Sequence, residues 1–138
     1  MNIESIMLTN IQTVSMDNTL TEVKERLEDS GLHHIMVTDE DGTLLGIISD
    51  RDVNASVSPS LGTINETNRD RDTLKKKAHQ IMTRDPVTIG KGTSVPAAAH
   101  RILTTPGSCL PVVDSENRAI GFVSWKEVMA TLIEMSIS

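Results

Sequence analysis

Residues 6–53 of the chain align on residues 81–128 at a constant offset of 75, with no gap. Nine of the 48 positions are identical: Ile6-Met7 with Ile81-Met82, Thr13 with Thr88, Arg26 with Arg101, Val37 with Val112, Asp39 with Asp114, Gly46 with Gly121, Ser49 with Ser124 and Val53 with Val128. Average composition would give about three. Apolar character repeats as well, as in Leu27/Ile102, Ile35/Leu110, Ile47/Phe122 and Ile48/Val123. An internal repeat limits the fold more than any single motif does. A unit of about fifty residues is too small to bury a good core alone, so the economical solution is two related units packed together. Any site built by one copy then has a relative at homologous positions in the other.

Each copy reads as strand, helix, strand, strand, helix, which makes the chain mixed α/β. Short apolar segments open the copies at Ile11–Val14 and Pro86–Ile89. In the first copy Asn18 or Thr19 caps a helix whose buried stripe is Leu20, Val23 and Leu27, and Gly31 stops it. In the second, Ser94 caps, Pro96 sits in the first turn, Val95, Ala98, Ala99 and Ile102 form the stripe, and Pro106-Gly107 ends it. Strands are expected over 34–38 and 44–48, then 109–113 and 119–123, joined by the turn-forming segments 39–42 and 114–117. A last helix starts at Ser49 or Ser124; the second carries Trp125, Val128, Met129, Leu132 and Ile133 at helical spacing.

The division that follows is a first repeat over 1–57, a polar connection over 58–72, and a second repeat over 73–138 that begins with a helix over 73–82 and closes with the last helix. The repeat breaks from residue 54, and a loop of this length is either a flexible linker or an ordered flap. Lys75-Lys76-Lys77 reads as a solvated face, with phosphate contact as the sharper alternative.

Charge and composition exclude several functions. Lys plus Arg is 13 and Asp plus Glu is 19, a net charge of −6, and Phe122 and Trp125 are the only aromatic residues. A nucleic-acid binder needs a basic face or stacking platforms. No apolar run reaches the ~18 residues of a membrane span. The N-terminus lacks the pattern of a signal peptide. Cys109 is alone, so no internal disulfide forms, and a reducing, cytoplasmic setting is expected. His33 and His34 are adjacent rather than at metal-ligand spacing, no metal site is expected, and no phosphate-binding glycine loop of a hydrolase or dehydrogenase is present.

Chemistry concentrates in Gly46-Ile-Ile-Ser49-Asp50-Arg51-Asp52 and its counterpart Gly121-Phe-Val-Ser124-Trp125-Lys126-Glu127. Each joins a strand end to a helix start, where free N–H groups favour phosphate. Ser49 or Ser124 offers a hydroxyl, Arg51 or Lys126 a cation for phosphate, and Asp52 or Glu127 an acceptor for a ribose diol. In one copy simple helix capping is the better account of Ser49 and Asp52; the recurrence favours a nucleotide.

These segments, with Ser5-Ile-Met7 and Gln80-Ile-Met82 at the repeat starts and Leu110-Pro-Val-Val-Asp114 beside Ile35-Met-Val-Thr-Asp39, resemble a stand-alone tandem pair of cystathionine-β-synthase-type (CBS) domains, over about Ile6 to Met129. The resemblance implies two repeats packed with pseudo-two-fold symmetry into one disc-like module. It implies a regulatory sensor, not an enzyme, binding adenine nucleotides (AMP, ADP or ATP) or S-adenosylmethionine in clefts between the repeats, with no cofactor required. One cleft would use Ser49, Arg51 and Asp52, lined by Met82, Thr83, Pro86 and Val87, with His33 and Cys109 nearby. The other would use Ser124, Lys126 and Glu127, with Met7, Ile11, Gln12 and His34. Glu127 adds a methylene where the pattern has Asp, and Met36 replaces the strand proline kept at Pro111, so the Asp52 cleft is expected to bind better.

Family members commonly pair, and the last helix offers Trp125, Val128, Leu132 and Met135 for a homodimer or simply for the core. The partners expected are an adenine nucleotide, a second copy and a regulated protein, with neither membrane nor nucleic acid. The alternative is a protein-interaction or dimerisation module with no small-molecule ligand. A nucleotide hydrolase would need a base and a metal that the sequence does not offer.

Overall fold

The computed structural model describes residues 2–105 and 109–137. The fold divides into two compact units: Gln12–Asp85, and Met1–Ile11 together with Pro86–Ser138.

The Gln12–Asp85 unit contains strand β1 (Thr13–Val14), helix α1 (Leu20–Ser30), β2 (His34–Thr38), β3 (Leu44–Ser49), α2 (Asp50–Ser56), α3 (Asn68–Asp72), α4 (Ala78–Ile81) and β4 (Thr83–Arg84). The sheet order is β1-β2-β3-β4, parallel between β1 and β2 and antiparallel thereafter. Helix α1 forms because Thr19 and Glu22 close a reciprocal capping box and Gly31, at φ 70°, ends the helix in the left-handed region. Its Leu20, Val23 and Leu27 are buried with Val14, Ile35, Val37, Ile48 and Val53, the core that the apolar spacing predicts.

The split unit repeats this plan with β5 (Ile89–Gly90), α5 (Val95–Thr104), β6 (Cys109–Val113), β7 (Ala119–Ser124) and α6 (Trp125–Ile137). Strand β6 pairs with β7 as β2 pairs with β3, with His34 opposite Ser49 and Cys109 opposite Ser124. A register shift falls at Val37/Thr38 and again at Val112/Val113, so the offset of 75 survives at single-residue resolution. Pro106-Gly107, the expected end of α5, lies outside the described residues.

The compact units do not follow the repeat boundaries, because the leading segment of each repeat belongs to the other unit. Ile3, in a short 3-10 turn over Ile3–Ser5, is fully buried with Ile89, Val95, Leu110 and Val123. Ala78 holds the homologous place among Leu20, Val23 and Ile35. The backbone bonds match too. Ile3 N–H donates to Thr93 O at 2.9 Å, as Ala78 N–H donates to Asn18 O at 2.8 Å. Leu8 bridges Phe122 as Thr83 pairs with Ile47.

This exchange corrects the expected helix over 73–82. Extended backbone at Lys76 and Lys77 (ψ 147° and 154°) splits it into a 3-10 turn over Thr73–Lys75 and the single turn α4. Leu74, Ala78, Ile81 and Met82 then pack on the core of the Gln12–Asp85 unit. The lysines are engaged locally: Lys75 pairs with Asp72 at 3.1 Å, Lys76 Nζ donates to Ser56 O, and Lys77 Nζ to Asp17 O. The polar connection is organised rather than featureless. Thr67 and Asp70 cap α3 reciprocally, and Ser58 Oγ donates to Asp70 Oδ1 at 2.7 Å. On α6, Val128 and Leu132 face the core, while Trp125, Met129, Ile133 and Met135 stay about half exposed. No helix among the described residues is long and apolar enough to cross a membrane.

Candidate functional site

Gly46 and Gly121 begin the two candidate segments, and each is required by close passage of an exchanged segment. A Cβ on Gly46 would lie 2.5 Å from Met82 Sδ and 2.9 Å from Thr83 O; one on Gly121 would lie 2.7 Å from Leu8 O and 3.1 Å from Met7 Sδ. Met82 and Met7 therefore cover the two glycines, a role that spacing alone does not reveal.

Three residues beyond Gly46, β3 ends at Ser49 and α2 begins. Ser49 N–H donates to Asp52 Oδ2 at 2.8 Å, and Asp52 N–H donates to Ser49 Oγ at 3.1 Å, a complete capping box. One oxygen of Asp52 is thus committed to backbone. The Ser49 hydroxyl proton has no acceptor among the described residues. Arg51 is exposed and has no ion-pair partner among them. Helix α2 has only seven residues, so hydroxyl, guanidinium and carboxylate, rather than a helix dipole, define what this segment can hold.

Beside it, Asp50 is tied to the residue before β2. His33 Nδ1 lies 2.8 Å from Asp50 Oδ2, and Asp50 N–H donates to His33 O at 2.9 Å. The His33 hydrogen bond holds the Asp50 carboxyl below the usual carboxylate range. His34 faces Ser49 across the β2–β3 ladder and is half-buried. Burial lowers its affinity for a proton, opposed by the nearby Asp50 and Asp52.

The second copy closes differently. The Ser124 hydroxyl donates to Glu127 Oε2, and Lys126 N–H reaches Ser124 Oγ at 3.3 Å. Lys126 is exposed and unpaired among the described residues. Cys109 occupies the place that His34 holds in the first copy. Burial pushes its thiol up to about 12, with the Glu127 charge adding to the effect, so Cys109 is a neutral half-buried thiol near neutral pH.

Of the residues assigned by sequence to the first site, Ser49, Arg51, Asp52, His33, Met82 and Thr83 belong to the Gln12–Asp85 unit, whereas Pro86, Val87 and Cys109 belong to the split unit. Of those assigned to the second, Ser124, Lys126, Glu127, Met7 and Ile11 share the split unit, whereas Gln12 and His34 lie in the other. Within its own unit each serine stands opposite one residue across the strand ladder, His34 for Ser49 and Cys109 for Ser124. The sequence reading missed Asp50. Its signal was the mismatch with its counterpart Trp125, and its link to His33 emerges only once the start of β2 and the start of α2 are neighbours. Among the described residues no three histidine, cysteine or acidic side chains gather to hold a metal.

Comparison with known proteins gives the same outline. The CBS domain model matches residues 3–58 and 78–134. A CBS domain-containing protein of Dictyostelium discoideum is 34% identical over 134 residues, covering 96% of this chain and 92% of that protein. Inosine-5′-monophosphate dehydrogenase of Mycobacterium bovis is 30% identical over 129 residues, but the chain spans only 22% of its length. Among solved structures, the CBS-pair protein CBSX2 from Arabidopsis thaliana superposes with a TM-score of 0.82 at 24% identity, covering 99% of this chain and 97% of that one. CBSX2 has also been solved in complex with AMP, with a TM-score of 0.80, 24% identity and 98% of both chains covered. The CBS domain pair of protein MJ0100, in complex with 5′-methylthioadenosine and S-adenosyl-L-methionine, gives 0.80 at 22% identity, again over 98% of both chains.

Proposed function

Since the chain belongs to the CBS domain family, we propose that it is a regulatory module that binds an adenosyl ligand (AMP, ADP, ATP or S-adenosylmethionine) and passes its occupancy to a partner protein. The observation that carries this reading is the Ser49–Asp52 segment. Within four residues it presents an uncommitted hydroxyl proton, an unpaired guanidinium and a carboxylate with one oxygen still free. Ser49 donates to a ribose or phosphate oxygen, Arg51 pairs with phosphate, and Asp52 accepts from the ribose diol. The AMP complex of CBSX2 and the adenosyl complexes of the MJ0100 pair support this ligand class.

Binding rather than turnover is the reading the chemistry supports. The Cys109 thiol is neutral near neutral pH, and the acids at the segment serve as cap and diol acceptor. The half-exposed Trp125, Met129 and Ile133 on α6 favour a second copy as one partner. Sedimentation at two concentrations checks that, and a monomer at both refutes it.

Calorimetric titration of nucleotide-free protein with AMP, ADP, ATP and S-adenosylmethionine tests the ligand reading, beside Arg51→Gln and Asp52→Ala. Saturable binding weakened at least tenfold in both variants is expected. Arg51 is exposed and caps nothing, so its loss of binding cannot be blamed on unfolding. No heat and no thermal stabilisation with any of the four ligands overturns the proposal.

A further inference from the structure

We infer that Asp50 selects ligand charge at the Ser49–Asp52 segment, favouring adenosyl ligands of low negative charge, such as AMP or a sulfonium-bearing compound, over ATP. The inference rests on the reading in which that segment binds an adenosyl ligand, and it adds which class of ligand is taken.

The argument starts from the two copies. Ser49-Asp50-Arg51-Asp52 stands against Ser124-Trp125-Lys126-Glu127. Asp50 and Asp52 against Arg51 leave the first segment one negative charge in excess, while Lys126 against Glu127 leaves the second balanced. The excess charge is Asp50, for Asp52 is needed by the cap and by the diol, and Arg51 by the phosphate.

Asp50 cannot easily turn away. Its backbone N–H is bonded to His33 O at 2.9 Å, and its carboxylate is held by His33 Nδ1 at 2.8 Å. The His33 bond also keeps the carboxyl ionised to lower pH than usual. The neighbouring His34 does not offset the charge near neutral pH, because burial disfavours its protonated form. Asp52, Arg51, His33 and His34 are therefore the titratable groups around Asp50, and the arginine is the only fixed cation among them.

Two like charges roughly 8 Å apart in water change an equilibrium by a factor of about two at low ionic strength. ATP carries about two more negative charges than AMP, so with both placed about that far from Asp50 the carboxylate weakens ATP relative to AMP by about fourfold, and less in salt. Trp125, exposed and uncharged, exerts no such selection at the second segment.

The experiment is titration of the full chain with magnesium-free AMP and ATP, in the wild type and in Asp50→Asn, at low ionic strength and at roughly 0.15 M salt. Asparagine keeps the size of the side chain and its ability to accept from His33. Thermal unfolding of both proteins confirms that the variant is folded. The expected result is that the ratio of Kd for ATP to Kd for AMP falls about fourfold in Asp50→Asn at low salt, with a smaller fall at the higher salt. A ratio that does not move, while both ligands still bind the wild type, overturns the selector and leaves the binding reading intact. Failure of AMP and ATP to bind the wild type overturns the selector, and failure of ADP and S-adenosylmethionine as well overturns the binding reading with it.

Discussion

The Ser49 and Ser124 segments share a frame and differ in how it closes. Both start at a glycine beneath an exchanged methionine, and both place a serine at the end of the third strand of its repeat. In the first, Asp52 turns back onto the Ser49 backbone N–H, and the serine hydroxyl keeps its proton. In the second, Glu127 is one methylene longer and takes the Ser124 hydroxyl itself. The same frame thus yields one segment able to donate a hydrogen bond to a ligand and one whose donor is already spent. The lesson is that a duplicated scaffold constrains position strongly and chemistry weakly, because a hydrogen bond can be redirected without disturbing the strands that carry it.

The largest expected effects fall on what the copies share. Gly46→Ala forces a Cβ into Met82 and against Thr83 O, and Gly121→Ala drives one into Leu8 O. Each should cost about 1–3 kcal/mol through overpacking. The Gly121 variant should cost more, since its closest contact is backbone, Leu8 O at 2.7 Å, whereas the closest atoms at Gly46 belong to the flexible Met82 side chain and its backbone contact, Thr83 O, lies at 2.9 Å. Urea unfolding of the two variants measures this. Costs near zero would show that the exchanged segments yield easily and that the glycines serve another purpose; equal costs would show that the Met82 side chain resists as firmly as backbone.

Smaller effects should separate the copies. Ser49→Ala removes both the acceptor for Asp52 N–H and the anchor of a complete cap, a loss of about 1 kcal/mol. Ser124→Ala removes an acceptor and also leaves Glu127 half-buried without its donor, so a similar loss is expected. Glu127→Asp sharpens the contrast. The shorter acid should adopt the Asp52 arrangement, hold stability within about 0.5 kcal/mol, and free the Ser124 hydroxyl. Under the proposed function, calorimetry should then show tighter adenosyl binding at the second segment. No change in stoichiometry or affinity would mean that the methylene is not what separates the two.

Much of this was legible in the sequence, for identifiable reasons. The stripe Leu20, Val23 and Leu27, the caps at Thr19 and Ser94 and the strands around Ile35 and Leu110 are local patterns, and local patterns survive into the fold. The exchange of leading segments was not legible in the residues themselves, because nothing in Ile3–Met7 or Ala78–Met82 records which sheet it will cover; only the family resemblance set Met82 with Ser49 and Met7 with Ser124. The expected helix over 73–82 failed for a related reason. Its lysines are compatible with a helix, but the backbone of Lys76–Ala78 pairs with that of Asn18–Leu20, which requires extended backbone there. At the candidate site, residue types were readable and partners were not. The capping box at Ser49 follows from spacing, whereas the His33–Asp50 link depends on two elements meeting, and that is decided by the whole sheet.

The smallest expected effect compares the residues at the start of the second strand in each repeat, His34 and Cys109. Burial lowers the His34 pKa from 6.5, so near that pH the unfolded chain takes up a proton that the folded chain refuses. The unfolded state then binds more protons, and stability falls as pH drops through about 6.5, until the folded imidazole also titrates. Cys109 works at the other end. Burial raises its pKa from 9.0 to about 12, so the unfolded thiol ionises first and stability falls as pH rises through 9. Thermal midpoints measured from roughly pH 5 to pH 10 should therefore decline on both sides, across the window in which these two groups titrate when unfolded. His34→Gln should flatten the decline between about pH 7 and 5.5 and leave the alkaline side alone, while Cys109→Ser should do the reverse. If His34→Gln leaves the acid slope as steep as before, the imidazole is solvated, and the acid sensitivity belongs to the capped carboxylates, whose loss should begin at lower pH.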